Sequence, residues 1–398
     1  MLGCLGVSYQ QAAATPMTLV SEDEADPLRS AITRKEAWTQ DAASRLRALA
    51  DHRMKEGSWS VTFERPTGLA LDPHDYYSEA PDWWPNPDDP AGPYIRREGR
   101  ANPDRFLANR TALNNMCDAV FTLGTAAYLF DDAPYAQKAA RLVHTWFINP
   151  KTRMNPQLEE AQAIRGLDVG RARGIIEGRA LIRAVQGMEF LAESGYWDAK
   201  DQAAVHKWFE DYLHWLTQSR NGLQEKASSD HHAAWWTAQV AAGATFVGDT
   251  ASAKMAFDYY RDRIVTRQTR EETLAAREES RATFWSSVFD LEALTAVCRI
   301  AEVQGVDLWS ARGKNGSTLA TSIDSLQPYL SDIRKVSREQ AIEGEADGLY
   351  FLATAGMGLK RSDYLTLYQK LDHPDKAWWN LLDLLVGRWE ASGHQTRH

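Results

Sequence analysis

From Arg105 to about Trp389, apolar residues recur at intervals of three and four positions. This spacing lines one face of an α-helix, and no stretch alternates apolar and polar residues convincingly as a half-buried strand does. The first stripe consists of Leu113, Met116, Val120, Leu123 and Ala127. Later helices are predicted over 135–147, 175–193, 200–216, 231–247, 252–264 and 284–303, with shorter ones beyond. Consecutive helical hairpins predict an all-α fold, an (α/α) toroid of about six to seven hairpins.

Between Gly57 and Pro103 no helical period survives, because proline removes a backbone donor and breaks helices. The prolines of this stretch are Pro66, Pro73, Pro81, Pro85, Pro87, Pro90, Pro93 and Pro103. Long loops inside compact domains are usually functional or disordered. The many aromatic side chains of this one indicate ordered packing. We therefore predict that residues 57–103 form a lid loop over a cleft.

The 398-residue chain is predicted to be one catalytic domain over residues 31–398, with a first helix from Ala31 to Lys55. Residues 15–30 are acidic and predict an arm or linker. Residues 1–14 are mildly apolar and end in three alanines, as a signal peptide can, although a basic start is missing. We expect residues 1–30 to be a signal remnant and arm, and the protein to be secreted or periplasmic.

The formal net charge of −9 argues against a nucleic-acid partner, because phosphate binding needs a basic face. An acidic protein can still hold an anionic substrate in a locally basic cleft. Its 15 Trp and 14 Tyr residues suit stacking on sugar rings. The three cysteines, Cys4, Cys117 and Cys298, lack metal-ligand spacing, and no stretch is long and apolar enough for a membrane span. We expect no cofactor and no metal, and the oligomeric state stays open.

The segment from Ser228 to Gln239 contains three consecutive ionisable residues, Asp230, His231 and His232, just before two tryptophans. Aspartate is a good N-cap residue, so the histidines are predicted at a helix N-terminus. The helix dipole there disfavours a protonated imidazole and favours an anion. A neutral histidine beside such a site suits a general base. The alternative is that a histidine simply caps the helix or packs under a tryptophan.

Several segments, taken in order, resemble the alginate lyase domain family. They are DYYSE (75–79), WWPNP (83–87), GPYIRR (92–97), NP (102–103), TWF (145–147), TRMNP (152–156), QAI (162–164), GR (170–171) and GII (174–176). The first four resemble the family's lid region. The resemblance implies an (α/α) toroid polysaccharide lyase that acts on a uronic-acid polymer, such as alginate or a glucuronan-like chain.

The same resemblance suggests positions for the family's reactive residues. His232 falls at the position of the family histidine, and His231 stands where the family has an asparagine. Ser286, just before a Ser-Val-Phe-Asp-Leu run, occupies the place of the family's proton-donating tyrosine. Arg277 and Arg281 flank the position of an expected arginine. These departures leave the acid of the reaction unassigned.

β-Elimination at a uronate needs a neutralised C6 carboxylate, a base for the C5 proton and an acid for O4. His232 is predicted as the base or the neutralising group, with His231 beside it. Arg281 or Arg277 is predicted to clamp the carboxylate. For the acid the hypothesis is Tyr77 or Tyr76, swinging in from the lid. Packing of the lid is the alternative role for either tyrosine.

Further residues are predicted to bind substrate because they offer sugar-stacking rings, cations or amides near these segments. They are Tyr76, Trp84, Arg97, Asn115, Gln162, Arg171, Asp230, Trp235 and Arg277. Weaker candidates of the same types are Trp83, Arg96, Asn114, Arg173 and Trp236. Helix capping is the alternative for the asparagines, and core packing for the tryptophans.

Two other functions remain open at this point. A glycoside hydrolase on a similar toroid needs two carboxylates flanking the scissile bond. Such carboxylates are available in loop-proximal positions at Asp230, Glu177, Glu159, Glu160 and Asp168. The other alternative is a non-catalytic carbohydrate-binding homologue, suggested by the absent tyrosine.

Overall fold

The structure is a computed structural model that describes residues 17–97, 99–268, 284–330 and 348–393. Helices dominate these ranges, and the predicted all-α fold is confirmed. The helices are α1 (Glu22–Thr33), α2 (Gln40–Lys55), α3 (Ala108–Phe130), α4 (Ala133–Val143), α5 (Ala180–Glu193), α6 (Ala199–Gln218), α7 (Arg220–Lys226), α8 (His231–Val247), α9 (Thr250–Tyr259), α10 (Val265–Gln268), α11 (Phe284–Val303), α12 (Leu319–Ser325), α13 (Gln327–Leu330), α14 (Phe351–Gly358), α15 (Ser362–Gln369) and α16 (Ala377–Ala391). Short 3₁₀ segments span Ala37–Thr39 and Ala172–Arg179, and π-helical turns span His144–Ile148 and Tyr260–Ile264.

An inner ring of helices forms the toroid. Each of α3, α5, α8, α11, α14 and α16 contacts the next, and α16 returns to contact α3. Helices α4, α6, α9, α15 and α2 pack on the outside of this ring. Inner helices α8 and α11 are buried on nearly all sides, as apolar helices at the centre of a large domain are. At the α3–α5 contact, a Cβ on Gly124 would lie 2.0 Å from the carbonyl oxygen of Gly187, so this close approach requires glycine.

Helix α8 has the predicted bounds because the residues at its two ends specify where it begins and where it stops. The side chain of Asp230 accepts a hydrogen bond from the backbone N–H of His232 and caps the N-terminus. Gly248 ends the helix in the left-handed conformation, with φ of 73°. The central helix therefore presents both histidines on its first turn.

The N-terminal segment differs from the prediction of an arm followed by one helix from Ala31. Helix α1 occupies 22–33, and its acidic residues lie in the first turn, where they favour the positive end of the helix dipole. Residues 17–20 are buried, and the carboxylate of Glu189 accepts hydrogen bonds from the backbone and side chain of Thr18. From residue 17 onward the segment is thus part of the domain. Lys35, at φ 56°, separates α1 from the helices that follow.

The predicted lid contains two pairs of short strands. Strand β1 (Tyr77–Glu79) pairs in parallel with β4 (Glu160–Ala163), and β2 (Trp83–Trp84) pairs antiparallel with β3 (Ile95–Arg96). Strands this short leave no period that sequence analysis detects. A covering role for 57–103 stays a prediction. None of the described helices has the length and apolarity that crossing a membrane would require.

Candidate active site

The first turn of α8 meets two other elements. Helix α7 and the segment Ala172–Arg179, here called the 3₁₀ segment, both contact α8 and each other. The 3₁₀ segment also contacts strand β4, which is paired with β1. The histidines of α8 therefore lie beside the short sheet that joins the predicted lid to the ring.

His232 is held by a buried carboxylate. Its Nδ1 lies 2.6 Å from Oε1 of Glu225 on α7, and both side chains are almost completely buried. Burial raises the pKa of Glu225 well above its usual range, although Arg173 opposes the rise. The contact fixes the orientation of the imidazole through Nδ1. Sequence analysis missed Glu225, because no motif links it to a histidine seven positions later.

His231 stacks on His232 with ring centroids 4.8 Å apart, and its ring lies edge-on to Phe289 of α11 at 5.2 Å. Asp230 accepts a hydrogen bond from Ser228 as well as capping α8. Burial alone would raise the pKa of Asp230, but the two histidines hold it well below its usual range. Asp230 is therefore an ionised N-cap beside the imidazoles.

The two predicted arginines of the 3₁₀ segment have different partners. Arg171 donates from Nε to the carbonyl oxygen of Gln162 at 3.0 Å, and from Nη2 to its amide oxygen at 2.9 Å. Burial lowers the pKa of Arg171, and Arg173 lowers it further. Arg173 is exposed and lies 3.5 Å from Oδ2 of Asp230. The structure thus brings Arg173 beside the histidines and uses Arg171 to hold Gln162.

Two glycines let the chain pass closely over strand β4: Gly170 lies just before the 3₁₀ segment and Gly174 lies within it. A Cβ on Gly170 would lie 1.9 Å from the carbonyl oxygen of Glu159, and one on Gly174 would lie 2.5 Å from Ala161. Any side chain would push the 3₁₀ segment away from the strand. The Gly-Arg and Gly-Ile-Ile pieces of the family pattern are explained by this contact.

The hydroxyls of both lid tyrosines donate to carboxylates, and their predicted role as the acid stays a prediction. Tyr76 is fully buried and donates to Oε2 of Glu177 at 2.7 Å. Tyr77 is 2% exposed and donates to Glu79 at 3.1 Å. Burial raises the pKa of both phenols. Ser78 also donates to Glu177 at 2.7 Å, so this carboxylate ties strand β1 to the 3₁₀ segment.

The predicted aromatic residues have separate surroundings. Arg97 lies over the ring of half-buried Trp84 at 5.0 Å, and the Trp84 indole donates to the carbonyl oxygen of Arg100. Trp235 is buried 5.2 Å from Phe289, one helical turn beyond the histidines. Trp236 is a core residue, fully buried, whose indole donates to the carbonyl oxygen of Leu216.

Three further predictions concern Asn115, the two arginines at 277 and 281, and position 286. Asn115 lines a groove at the N-terminal end of α3. Arg277 and Arg281 lie outside the described residues. Ser286 is buried on α11.

The other carboxylates proposed for a hydrolase have protein partners of their own. Glu159 accepts a hydrogen bond from the indole of Trp215 at 3.0 Å, and Asp168 accepts one from the backbone of Gly170 at 3.3 Å. Glu160 accepts one from Gln157 at 3.2 Å. Within the described ranges, no three His, Cys, Asp or Glu side chains are grouped as metal ligands.

Comparisons with known proteins agree with this architecture. The family model described as alginate lyase matches residues 60–336. An alginate lyase from Bacteroides ovatus is similar in structure, with 24% sequence identity and a TM-score of 0.82 over 92% of this chain and 99% of that one. Alginate lyase A1-III from Sphingomonas species A1 has 14% identity and a TM-score of 0.50 over 83% and 91% of the two chains. A variant of A1-III in complex with a tetrasaccharide has 14% identity and a TM-score of 0.52 over 88% and 89%. A search of curated proteins finds no match.

The family match spans most of the chain, including the lid segments, the 3₁₀ segment and the first turn of α8. The structural similarities support the same toroidal fold. The hydrolase and binding-protein alternatives are not favoured by these findings, and the protein is a polysaccharide lyase. On the extent of the family match, the chain belongs to the alginate lyase family.

Proposed function

We propose that His232 is the catalytic base of this lyase, and that Nε2 takes the C5 proton of a uronate residue. The observation that carries the proposal is the 2.6 Å contact between Nδ1 of His232 and Glu225. A base whose other ring nitrogen is held by a carboxylate has a fixed orientation and tautomer. Burial of the pair keeps water from competing for the imidazole.

The C6 carboxylate of the substrate needs a nearby positive potential, because its charge opposes removal of the C5 proton. His231 and Arg173 are the groups we propose for this role, together with the N-terminus of α8. Arg173 lies close to Asp230 and is exposed, so it can also contact a bound polymer. Arg277 and Arg281 stay predictions for the same clamp.

The elimination breaks the C5–H and C4–O4 bonds and forms a C4–C5 double bond, while O4 gains a proton. The hydroxyls of Tyr76 and Tyr77 already donate to Glu177 and Glu79, and a serine stands at position 286, so we assign the acid to His232 itself. The imidazolium formed in the first step returns its proton to O4. One group can serve both atoms only when H5 and O4 lie on the same face of the ring. Mannuronate and glucuronate meet this condition, and guluronate does not.

An anionic polysaccharide is the proposed substrate class. The family supports this class, as does the tetrasaccharide bound by a similar protein, A1-III. Polymers of this kind do not cross membranes unaided, so we propose that the enzyme acts outside the cytoplasm. Alginate and glucuronan-like chains are both retained as substrates.

The test is incubation with mannuronate-rich alginate, guluronate-rich alginate, polyglucuronate and a neutral glucan. We expect ultraviolet absorbance from an unsaturated product end with the first or third polymer, and no gain of water in the product mass. Activity confined to guluronate-rich alginate would refute the single-histidine assignment. Products that have gained one water would refute elimination and return attention to the carboxylates.

A further inference from the structure

A second cavity lies away from the histidines, at the N-terminal end of α3. It has a volume of about 690 Å³, within the range of ordinary ligand sites. We call it the α3 groove. Its lining includes the cations Arg65, Arg105 and Arg165 and the aromatic residues Trp59 and Phe106.

Three guanidinium groups of the groove keep donors beyond those used by the protein. Arg65 donates to the carbonyl oxygens of Asp72 and Asp75, and Arg105 donates to that of Asn102. A guanidinium has five N–H donors, so several remain on each. Nε of Arg105 is buried and has no hydrogen-bond partner among the described residues.

The charge balance of Arg105 favours an anion beside it. Burial lowers its pKa, and neighbouring Arg110 lowers it further. Glu177 and Asp82 oppose this fall without cancelling it, and a carboxylate bound in the groove would favour the charged guanidinium further. The α3 N-terminus adds to this potential, because Leu107 gives it no side-chain cap.

The groove also contains groups that suit sugar hydroxyls and ring faces. Glu64 and Asp104 line it, and carboxylates accept hydrogen bonds from hydroxyl groups. Half-buried Trp59 and Phe106 offer aromatic surface of the kind on which sugar rings stack. Cations, acceptors and aromatic faces together fit an acidic sugar better than an inorganic anion.

Strand β1 lies between the groove and the histidine site. On the groove side, Glu79 accepts hydrogen bonds from Arg165 and from the backbone of Phe106. On the other side, Ser78 donates to Glu177 of the 3₁₀ segment, which leads to α8. The groove is therefore a surface separate from the histidine site, and residues 59 and 64–67 of the predicted lid form part of its lining.

We propose that the α3 groove binds a second segment of a uronate oligosaccharide, distinct from the residue that undergoes elimination. The identity of the sugar rests on the proposed function, whereas the existence of the site does not. A polymer held at both places would bind more tightly than either contact alone allows.

The test uses saturated uronate hexasaccharides and calorimetry on the His232→Ala variant, which we expect to bind substrate without turning it over. We expect about two bound oligosaccharides per chain, or a single one whose affinity falls roughly tenfold when Thr111→Trp fills the groove. Thr111 lines the groove and is exposed on α3, so the bulkier side chain does not disturb the core. Arg141→Glu, an exposed change on outer helix α4, is the control and should leave binding unchanged.

The same variants separate this proposal from the proposed function. Polymer elimination by the wild-type chain, with hexasaccharide binding that Thr111→Trp leaves unaltered, would overturn the groove and keep the lyase chemistry. Binding that is lost in Thr111→Trp supports the groove even where no unsaturated product forms. A phosphate control that binds equally well in the groove would overturn its assignment to a sugar.

Discussion

Nδ1 of His232 lies 2.6 Å from Oε1 of Glu225, and both side chains are buried between α7 and α8. The carboxyl group fixes the imidazole through one ring nitrogen, and burial raises its pKa well above the usual range. Glu225→Gln keeps a side chain of the same shape but removes the ionisable group. We expect kcat to fall by roughly 100-fold.

The measurement is the pH dependence of kcat/KM for Glu225→Gln against the wild type. A catalytic partner should change the shape or midpoint of the profile, which simple loss of folded protein would not do. Glu210→Gln, an exposed change on α6, is the matched control. An unaltered profile with full activity would remove Glu225 from the mechanism.

His232→Ala should abolish product formation while leaving the toroid folded. The substitution leaves the buried carboxyl group of Glu225 without its histidine partner. A buried carboxylate without a partner destabilises the fold unless it takes up a proton. The melting temperature should therefore fall, and a second change, Glu225→Gln, should restore part of it. Turnover close to wild type in His232→Ala would contradict the assigned base.

Tyr77→Phe should have little effect on the rate, since its hydroxyl is buried against Glu79. We expect kcat within about threefold of wild type and a loss of stability of about 1 kcal/mol for the missing hydrogen bond. Tyr76→Phe should cost more, roughly 2 kcal/mol, because buried Glu177 loses a donor. Urea denaturation and initial rates check both. A large rate loss without a stability loss in Tyr77→Phe would reinstate it as the acid.

Gly170→Ala should destabilise the protein and lower activity, because the new Cβ would lie 1.9 Å from the carbonyl oxygen of Glu159. The 3₁₀ segment must then shift, and Arg171 and Arg173 shift with it. Gly243→Ala is the matched control, since a Cβ there meets nothing within 4 Å and α8 gains helix propensity of about 1 kcal/mol. Thermal melting of both variants distinguishes the two outcomes. A melting temperature of Gly170→Ala equal to that of the wild type would mean that the contact between Gly170 and Glu159 tolerates a side chain.

The sequence predicts those features that are encoded locally. The bounds of α8 follow from an N-cap at Asp230 and a glycine at 248, and the ring follows from helical periodicity. Features made by distant pairing are not encoded this way. Tyr76 and Glu177 are 101 positions apart, and the β1–β4 pairing joins segments of three and four residues.

Helix α1 shows a second source of error. Its first turn is acidic, and the acidity of residues 15–30 predicted an arm or linker. The acidic first turn suits a helix start, whereas Pro27 lies inside α1, where a proline removes a backbone hydrogen bond. The segment is part of the domain because residues 17–20 pack against α5, and no local sequence pattern predicts that packing.

That packing predicts an unusual dependence of stability on pH. Burial raises the pKa of Glu189 from 4.5 to about 8, although its hydrogen bonds from Thr18 oppose the rise. Below pH 4.5 the carboxyl is protonated in both the folded and the unfolded chain, and it imposes no penalty. Between pH 4.5 and 8 only the unfolded chain releases the proton, so the free energy of unfolding falls as pH rises. Above pH 8 the penalty is constant.

We expect this group to lower the free energy of unfolding by up to about 5 kcal/mol between pH 4.5 and 8, at about 1.4 kcal/mol per pH unit. Glu189→Gln keeps one of the two oxygens that accept from Thr18 and cannot ionise, so its stability should change less steeply over that window. Other titrating groups contribute equally to both proteins, and the difference between the two curves isolates Glu189. Urea titrations at half-unit pH steps supply the curves. Equal slopes for the two proteins would mean that Glu189 is already ionised in the folded chain. Its hydrogen bonds to Thr18 would then be made by a charged carboxylate.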